Sequence, residues 1–236
     1  MAIPCYLALT AGEFAKIEQI PENCAYMACH FSCYGTGLSN LPEGLPPGAI
    51  IILNDRTPAY RHDPKQILNE MQMLVAEYAP SGVLLDFQRP DVSLTMEVAQ
   101  ILVEGLPCPV AVTLPYAQNF SCPVFLPPPP LHMPLKEYLA PYDGREIWLE
   151  LATETMGYII NKEGCVIREL EDAPLPQPIF TEEGAFSRYH IEVKENQVEF
   201  TLQRTERELM DILSSDCSIA RCVGLYQQLK NMPTGK

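Results

Sequence analysis

The chain has 236 residues, of which 47% are hydrophobic and 19% charged, and its formal net charge is −14. That composition excludes global disorder. The acidic excess argues against the basic surface that non-specific binding to nucleic acid or to an anionic membrane requires, and it says little about small-molecule neutral ligands.

Short apolar runs alternate with helical patterns along the chain. PCYLALT (4–10) predicts a first strand. Thr10 and Glu13 then form a capping box that opens a helix carrying Phe14 and Ile17, which ends before Pro21. CAYMACHF (24–31) predicts a second strand. The following SCYGTGLSNLPEGLPPG is dense in turn formers and offers no helix. AIIILND (49–55) predicts a third strand, apolar on both faces as in a covered parallel sheet. Asp63 can cap the next helix with Pro64 in its first turn. Ile67, Leu68, Met71, Leu74, Val75 and Tyr78 follow the helical period. GVLLDFQ (82–88) is the fourth strand. Ser93 starts a helix with Leu94, Val98, Ile101 and Leu102 on one face and Gly105 at its end. PVAVTL (109–114) is the fifth strand.

Beyond that point proline interrupts the order. SCPVFLPPPPLHMP (121–134) predicts an extended polyproline segment with neither helix nor central strand. PLKEYLAPY predicts a short helix, and REIWLELA (145–152) a sixth strand. Two hairpin patterns follow, MGYIINKEGCVIREL and RYHIEVKENQVEFTLQR. VEFTLQR doubles as a seventh strand, Thr205 to Glu208 repeats the capping box, and ARCVGLY (220–226) is an eighth strand. Parallel strands joined by right-handed helical crossovers bury these runs economically. The expectation is a compact (β/α)8 TIM-barrel-like fold in one domain, 1–236. The hairpins, at about 153–195, would be insertions between strands 6 and 7. An open doubly wound sheet is the alternative, but no G-x-G-x-x-G joins a strand to a helix, and GTGLSN (35–40) fits a turn better.

In such a barrel the carboxyl ends of the strands form the functional face. Those ends carry Asn54, Asp55 and Arg56, then Asp86, Gln88 and Arg89, then Tyr116, Trp148, Glu150 and Gln227. Alternation puts Gly82, Leu84, Asp86 and Gln88 on one face of the fourth strand. If that face points inward, the apolar members fill lower layers and the polar pair emerges at the mouth. A buried carboxylate must be paired or hydrogen bonded, and Arg56 and Arg89 are the candidate partners.

GVLLDFQ resembles the fourth-strand motif D-x-D-x-E of chitinase-type glycoside hydrolases. Asp86 matches the last aspartate, Gln88 stands where that family has its acid glutamate, and Leu84 replaces the preceding aspartate. The resemblance implies a barrel acting on carbohydrate, and the departure removes its proton donor, because an amide cannot protonate a glycosidic oxygen. Two readings follow. In one, a hydrolase uses Asp86, Glu150 and Asp55 as catalytic carboxylates while Gln88 positions substrate. In the other, the mouth binds a sugar without turnover, through Gln88, Arg89, Arg56 and Gln227 and the flat faces of Tyr116, Trp148 and Tyr34. Asp86 would then be a structural ion-pair partner.

Nine cysteines without the dense regular spacing of a disulfide scaffold fit buried reduced thiols. No basic n-region, signal-like apolar core or membrane-length apolar run is present, which makes a cytoplasmic location the expectation. Cys24, Cys29, Cys33 and His30 do not form the two close pairs of a structural zinc site. Alternation would put Cys24 and Cys29, five residues apart, on opposite faces of their strand. Neither metal nor organic cofactor is expected.

Overall fold

The computed structural model describes residues 3–17, 20–55, 62–88, 93–127 and 135–151, and the strands at 156–160, 166–170, 188–193, 196–201 and 219–225. In chain order the first half holds β1 (Cys5–Leu9), α1 (Ala11–Phe14), β2 (Cys24–Phe31), β3 (Leu38–Ser39), β4 (Ile50–Asn54), α2 (Pro64–Tyr78), β5 (Gly82–Asp86) and α3 (Ser93–Gly105). There follow β6 (Val110–Thr113), α4 (Leu114–Ala117), β7 (Val124–Leu126), α5 (Leu135–Leu139) and β8 (Ile147–Leu151). The remaining strands are β9 (Met156–Ile160), β10 (Val166–Leu170), β11 (Arg188–Val193), β12 (Asn196–Thr201) and β13 (Ile219–Leu225).

The large sheet runs β1-β13-β8-β7-β6-β5-β4-β2, and β1 also pairs with β2. Eight parallel strands therefore close into a ring with helices between several of them, a (β/α)8 barrel. The short β3 is appended to β2 in antiparallel sense. Closure leaves none of the eight parallel strands with a free hydrogen-bonding edge.

The crossover helices form for local reasons. Asp63 Oδ1 accepts from Lys65 N at 3.0 Å and Gln66 N at 3.4 Å, and Pro64 occupies the first turn of α2. The helix buries Ile67, Met71, Leu74 and Val75 against the sheet and ends at Ala79 in the left-handed conformation, φ 45°. The Thr10–Glu13 capping box is formed, with reciprocal bonds of 3.3 Å and 2.8 Å, but α1 stops at Phe14 instead of continuing past Ile17. The loop after β2 is docked on α2: Leu38 N donates to Glu70 Oε2 at 2.7 Å, and Thr36 bonds to Gln66. Gly37 thus lies close against the tips of Glu70 and Gln66 on α2.

Four expectations are corrected. The barrel's sixth strand is Val124–Leu126, inside the segment expected to be polyproline. Its prolines flank the three-residue strand: Pro123 O accepts from Val112 N at 3.0 Å, so the ladder needs no N–H there. Arg145 secures this crossover by donating to Ala117 O at 2.7 Å and Cys122 O at 2.5 Å. REIWLELA consequently supplies the seventh strand of the ring, not the sixth. VEFTLQR is not a barrel strand, because its residues in β12 pair antiparallel with β9 and β11 in a separate four-stranded sheet, β10-β9-β12-β11. In chain order that sheet falls between the seventh and eighth barrel strands, β8 and β13, rather than between the sixth and seventh.

The barrel interior holds Tyr6, Ala8, Ala25, Ile50, Ile52, Leu84, Ala111, Trp148 and Val223. At its amino-terminal end the Trp148 indole is fully buried and donates through Nε1 to Glu146 Oε1 at 2.8 Å. The Arg221 guanidinium lies 4.5 Å above the indole and donates to Ser81 O at 2.7 Å. Gly82 makes room for this floor, since a Cβ there would be 2.6 Å from Trp148 Cη2 and 2.9 Å from Pro109 O. Gly82→Ala is accordingly expected to lower stability by about 1–3 kcal/mol through overpacking, read as a reduced urea midpoint with an unchanged m-value.

Candidate functional site

Above the Trp148 floor a cavity of about 390 Å³ occupies the carboxyl-terminal end of the barrel. Its wall is apolar, made by Ala8, Met27, Ile52, Leu84, Phe125 and Val223, with Gly224 beside them. Among the described residues, three polar side chains enter it, Asp86, Gln88 and Glu150. Alternation explains their convergence. Gly82, Leu84, Asp86 and Gln88 rise along the inner face of β5 and its continuation. Glu146, Trp148 and Glu150 do the same along β8. The glycine and tryptophan pack at the bottom, and the carboxylates reach the top.

Gln88 Nε2 donates to Asp86 Oδ1 at 2.7 Å, so amide and carboxylate are presented as one unit. The backbone beneath them is anchored from behind. Gln88 N donates to Asp55 Oδ2 at 3.0 Å, and the Thr113 hydroxyl donates to Phe87 O. Phe87, between the two polar residues, points out of the barrel and is fully buried. It packs against Phe31 at 5.4 Å and against Tyr116 at 5.7 Å between ring centroids. The polar tip of β5 is thus held by an aromatic stack on one side of the sheet while it lines the cavity on the other.

Asp86, Glu150 and Gln88 are brought together as the sequence suggested. Asp55 is not among the cavity residues; it is 2% exposed and holds the Gln88 backbone. Trp148 and Tyr116 were expected to offer faces to a ligand, and the structure gives both other places. Trp148 is the floor beneath the cavity. Tyr116 lies outside the barrel, buried between α4 and α3, with its hydroxyl donating to Thr95 Oγ1 at 2.9 Å. Tyr34 is fully exposed on the loop after β2. Arg56, Arg89 and Gln227 lie outside the described residues. Among the described residues Phe125 is the aromatic side chain that lines the cavity, and it was missed because it belongs to the three-residue strand hidden among prolines.

Asn54 was also undervalued. Its Nδ2 donates to Met27 O at 3.3 Å and to Cys29 O at 3.0 Å. These carbonyls flank a bulge, where the β2–β4 register shifts between Tyr26 and Cys29. The bulge reverses the parity of β2. Cys24 and Cys29 consequently share the outer core cluster, instead of lying on opposite faces. Among the described residues no three His, Cys, Asp or Glu side chains gather as a metal site. No helix among them is long and apolar enough to cross a membrane.

Solved structures similar to this chain include two spore cortex-lytic enzymes. The Bacillus cereus spore cortex-lytic enzyme SleL superposes with a TM-score of 0.56 at 11% identity, covering 98% of this chain and 72% of that one. The Bacillus megaterium QM B1551 spore cortex-lytic enzyme SleL gives 0.51 at 12% identity, covering 94% and 70%. At that identity the likeness is one of fold. No family model and no curated protein sequence matches the chain.

One titrating group sits against the aromatic stack. The His62 ring lies 4.1 Å from Phe31, and its buried Nδ1 has no hydrogen-bond partner among the described residues. Burial lowers its pKa from the ordinary 6.5. The unfolded chain then binds the proton more readily than the folded one. The stability linked to His62 is complete above pH 6.5 and is lost as pH falls toward the depressed folded value. Melting temperature measured between pH 7.5 and 5 is expected to fall more steeply for the native protein than for His62→Phe.

Proposed function

We propose that the protein is a glycoside-hydrolase-like barrel whose mouth takes up a carbohydrate. The observation that carries this reading is the convergence of Asp86, Gln88 and Glu150 with the Phe125 ring in one cavity at the strand ends. A sugar presents hydroxyls around its edge and C–H groups on its faces. Carboxylates and an amide suit the first, and an aromatic face suits the second. The two fold neighbours, enzymes named for lysis of spore cortex, support the same assignment.

The residues divide the work by their chemistry. Asp86 and Glu150 are the carboxylates lining the cavity. Hydrolysis of a glycosidic bond uses two such groups, one protonating the leaving oxygen and the other acting as base or nucleophile. Gln88 has no acidic proton to give, so it orients Asp86 and bonds to substrate. Asp55 and Thr113 fix the height of that pair. The Gln88 amide, standing where the chitinase-type strand motif has its acid, favours a second reading, in which the mouth binds a sugar and leaves it intact.

The test is a panel of soluble oligosaccharides and cell-wall fragments. It is followed by calorimetry and by assay of new reducing ends, with native protein, Asp86→Asn, Glu150→Gln and Phe125→Ala. The proposal expects binding by the native chain and a loss of at least about tenfold in each variant, near 1.4 kcal/mol, with melting temperatures preserved. Release of reducing ends, abolished in both carboxylate variants, marks the hydrolase. Binding without release marks the second reading. Absence of binding across the panel, together with a lowered melting point in Asp86→Asn, would leave Asp86 a structural ion-pair partner and overturn both.

A further inference from the structure

We propose that Cys5 and Cys222 are a reversible oxidation site, forming a disulfide that fastens the first strand of the barrel to the last. The two residues are register partners across the parallel pair β1 and β13. Partners in register carry their side chains on the same side of a sheet. Both belong to the apolar cluster on the outer face that contains Ile147, Leu149 and Ile219. Adjacent strands lie about 4.8 Å apart, within the Cα separation of about 4.4 to 6.8 Å that a disulfide spans.

The two thiols already interact. A hydrogen bond with Cys222 holds the Cys5 thiol below its ordinary pKa, against the opposing effect of burial. Cys5 is half-buried and Cys222 buried, which separates their roles. Cys5 meets the oxidant and Cys222 resolves the product. Other buried thiols provide the contrast. Burial pushes Cys24 up to about 11 and Cys29 up to about 12. Their register partners are Leu7 and Leu53, so neither has a second sulfur opposite it.

The chemistry balances with a peroxide as oxidant. The Cys5 thiolate attacks one oxygen of hydrogen peroxide and the O–O bond breaks. The leaving hydroxide takes a proton and becomes water, and Cys5 is now a sulfenic acid. The Cys222 sulfur attacks the Cys5 sulfur, the S–O bond breaks, and hydroxide departs as water with the Cys222 proton. Two thiols are oxidised and one peroxide is reduced to two waters. A dithiol reductant reverses the bond by exchange. The product ties residues 5 and 222 into one covalent loop across the seam where the ring closes.

The experiment treats the reduced full-length protein with hydrogen peroxide, alkylates the remaining thiols and maps the digest without reduction. The expected result is a cross-linked peptide pair joining Cys5 to Cys222 that disappears with dithiothreitol. The oxidised chain should melt several degrees higher, because a long loop is closed in the unfolded state. In Cys222→Ser the resolving sulfur is gone, and dimedone is expected to trap a sulfenic acid at Cys5. Recovery of Cys5 and Cys222 as alkylated thiols after peroxide, or a disulfide joining Cys5 to a different cysteine, overturns the proposal. The native map decides it even if the variant does not fold.

Discussion

The Trp148 indole, seated where Gly82 has no side chain, fixes which side of two strands faces the barrel axis. A β-strand has only two faces, and a slip of one residue exchanges them completely. With Trp148 committed to the floor, Glu150 can only point into the cavity. With Gly82 committed beneath the ring, Leu84 and Asp86 follow along the same line. The arrangement of the mouth is therefore decided at the opposite end of the barrel. Glu146 and Arg221 reinforce it from outside, one accepting from the indole nitrogen and the other covering the ring.

The carboxylate–amide pair at the tip of β5 shows how a polar site is held steady in a fold whose rim is made of chain ends. Its side chains face a cavity, while its backbone is gripped from the other side. Phe87 sinks into the aromatic stack, Thr113 binds the Phe87 carbonyl and Asp55 binds the Gln88 amide. Rigid placement of this kind is what any hydrogen-bonding site needs, since misaligned hydrogen bonds gain little over those to solvent. The similarity of fold to the cortex-lytic enzymes at 11% and 12% identity fits the same principle. A closed barrel needs apolar runs of the right length and parity, and many sequences supply them.

Much of this was legible in the residues. The caps at Asp63 and Thr10 and the apolar period of α2 located their elements. Two-residue alternation was enough to bring Asp86, Gln88 and Glu150 to one place. What stayed hidden has a physical cause in each instance. Val124–Leu126 is a strand of three residues between prolines, too short for any periodicity to register. Asp55 looks like a rim carboxylate until the Gln88 N–H is seen to point at it. Trp148 looks like a sugar platform until its depth is known, because strand position along the barrel axis is not encoded in alternation. The boundary between the ring and the antiparallel strands was misplaced for a related reason. VEFTLQR alternates as a barrel strand would, and only its pairing partners tell the two apart.

The bulge in β2 has a consequence for anyone who would rebuild the rim. Asn54 binds two carbonyls of the neighbouring strand and so stabilises one extra residue in it. Upstream of that kink Ala25 and Met27 look toward the axis; downstream Cys29 and Phe31 look away. Replacing Asn54 with a residue that lacks the amide would remove the reason for the extra residue. A ladder relaxed to regular spacing would then turn a thiol and a phenyl ring toward the barrel axis. A single asparagine on one strand thus acts as the phase-setter for its neighbour, and grafts onto β2 have to be counted from that point.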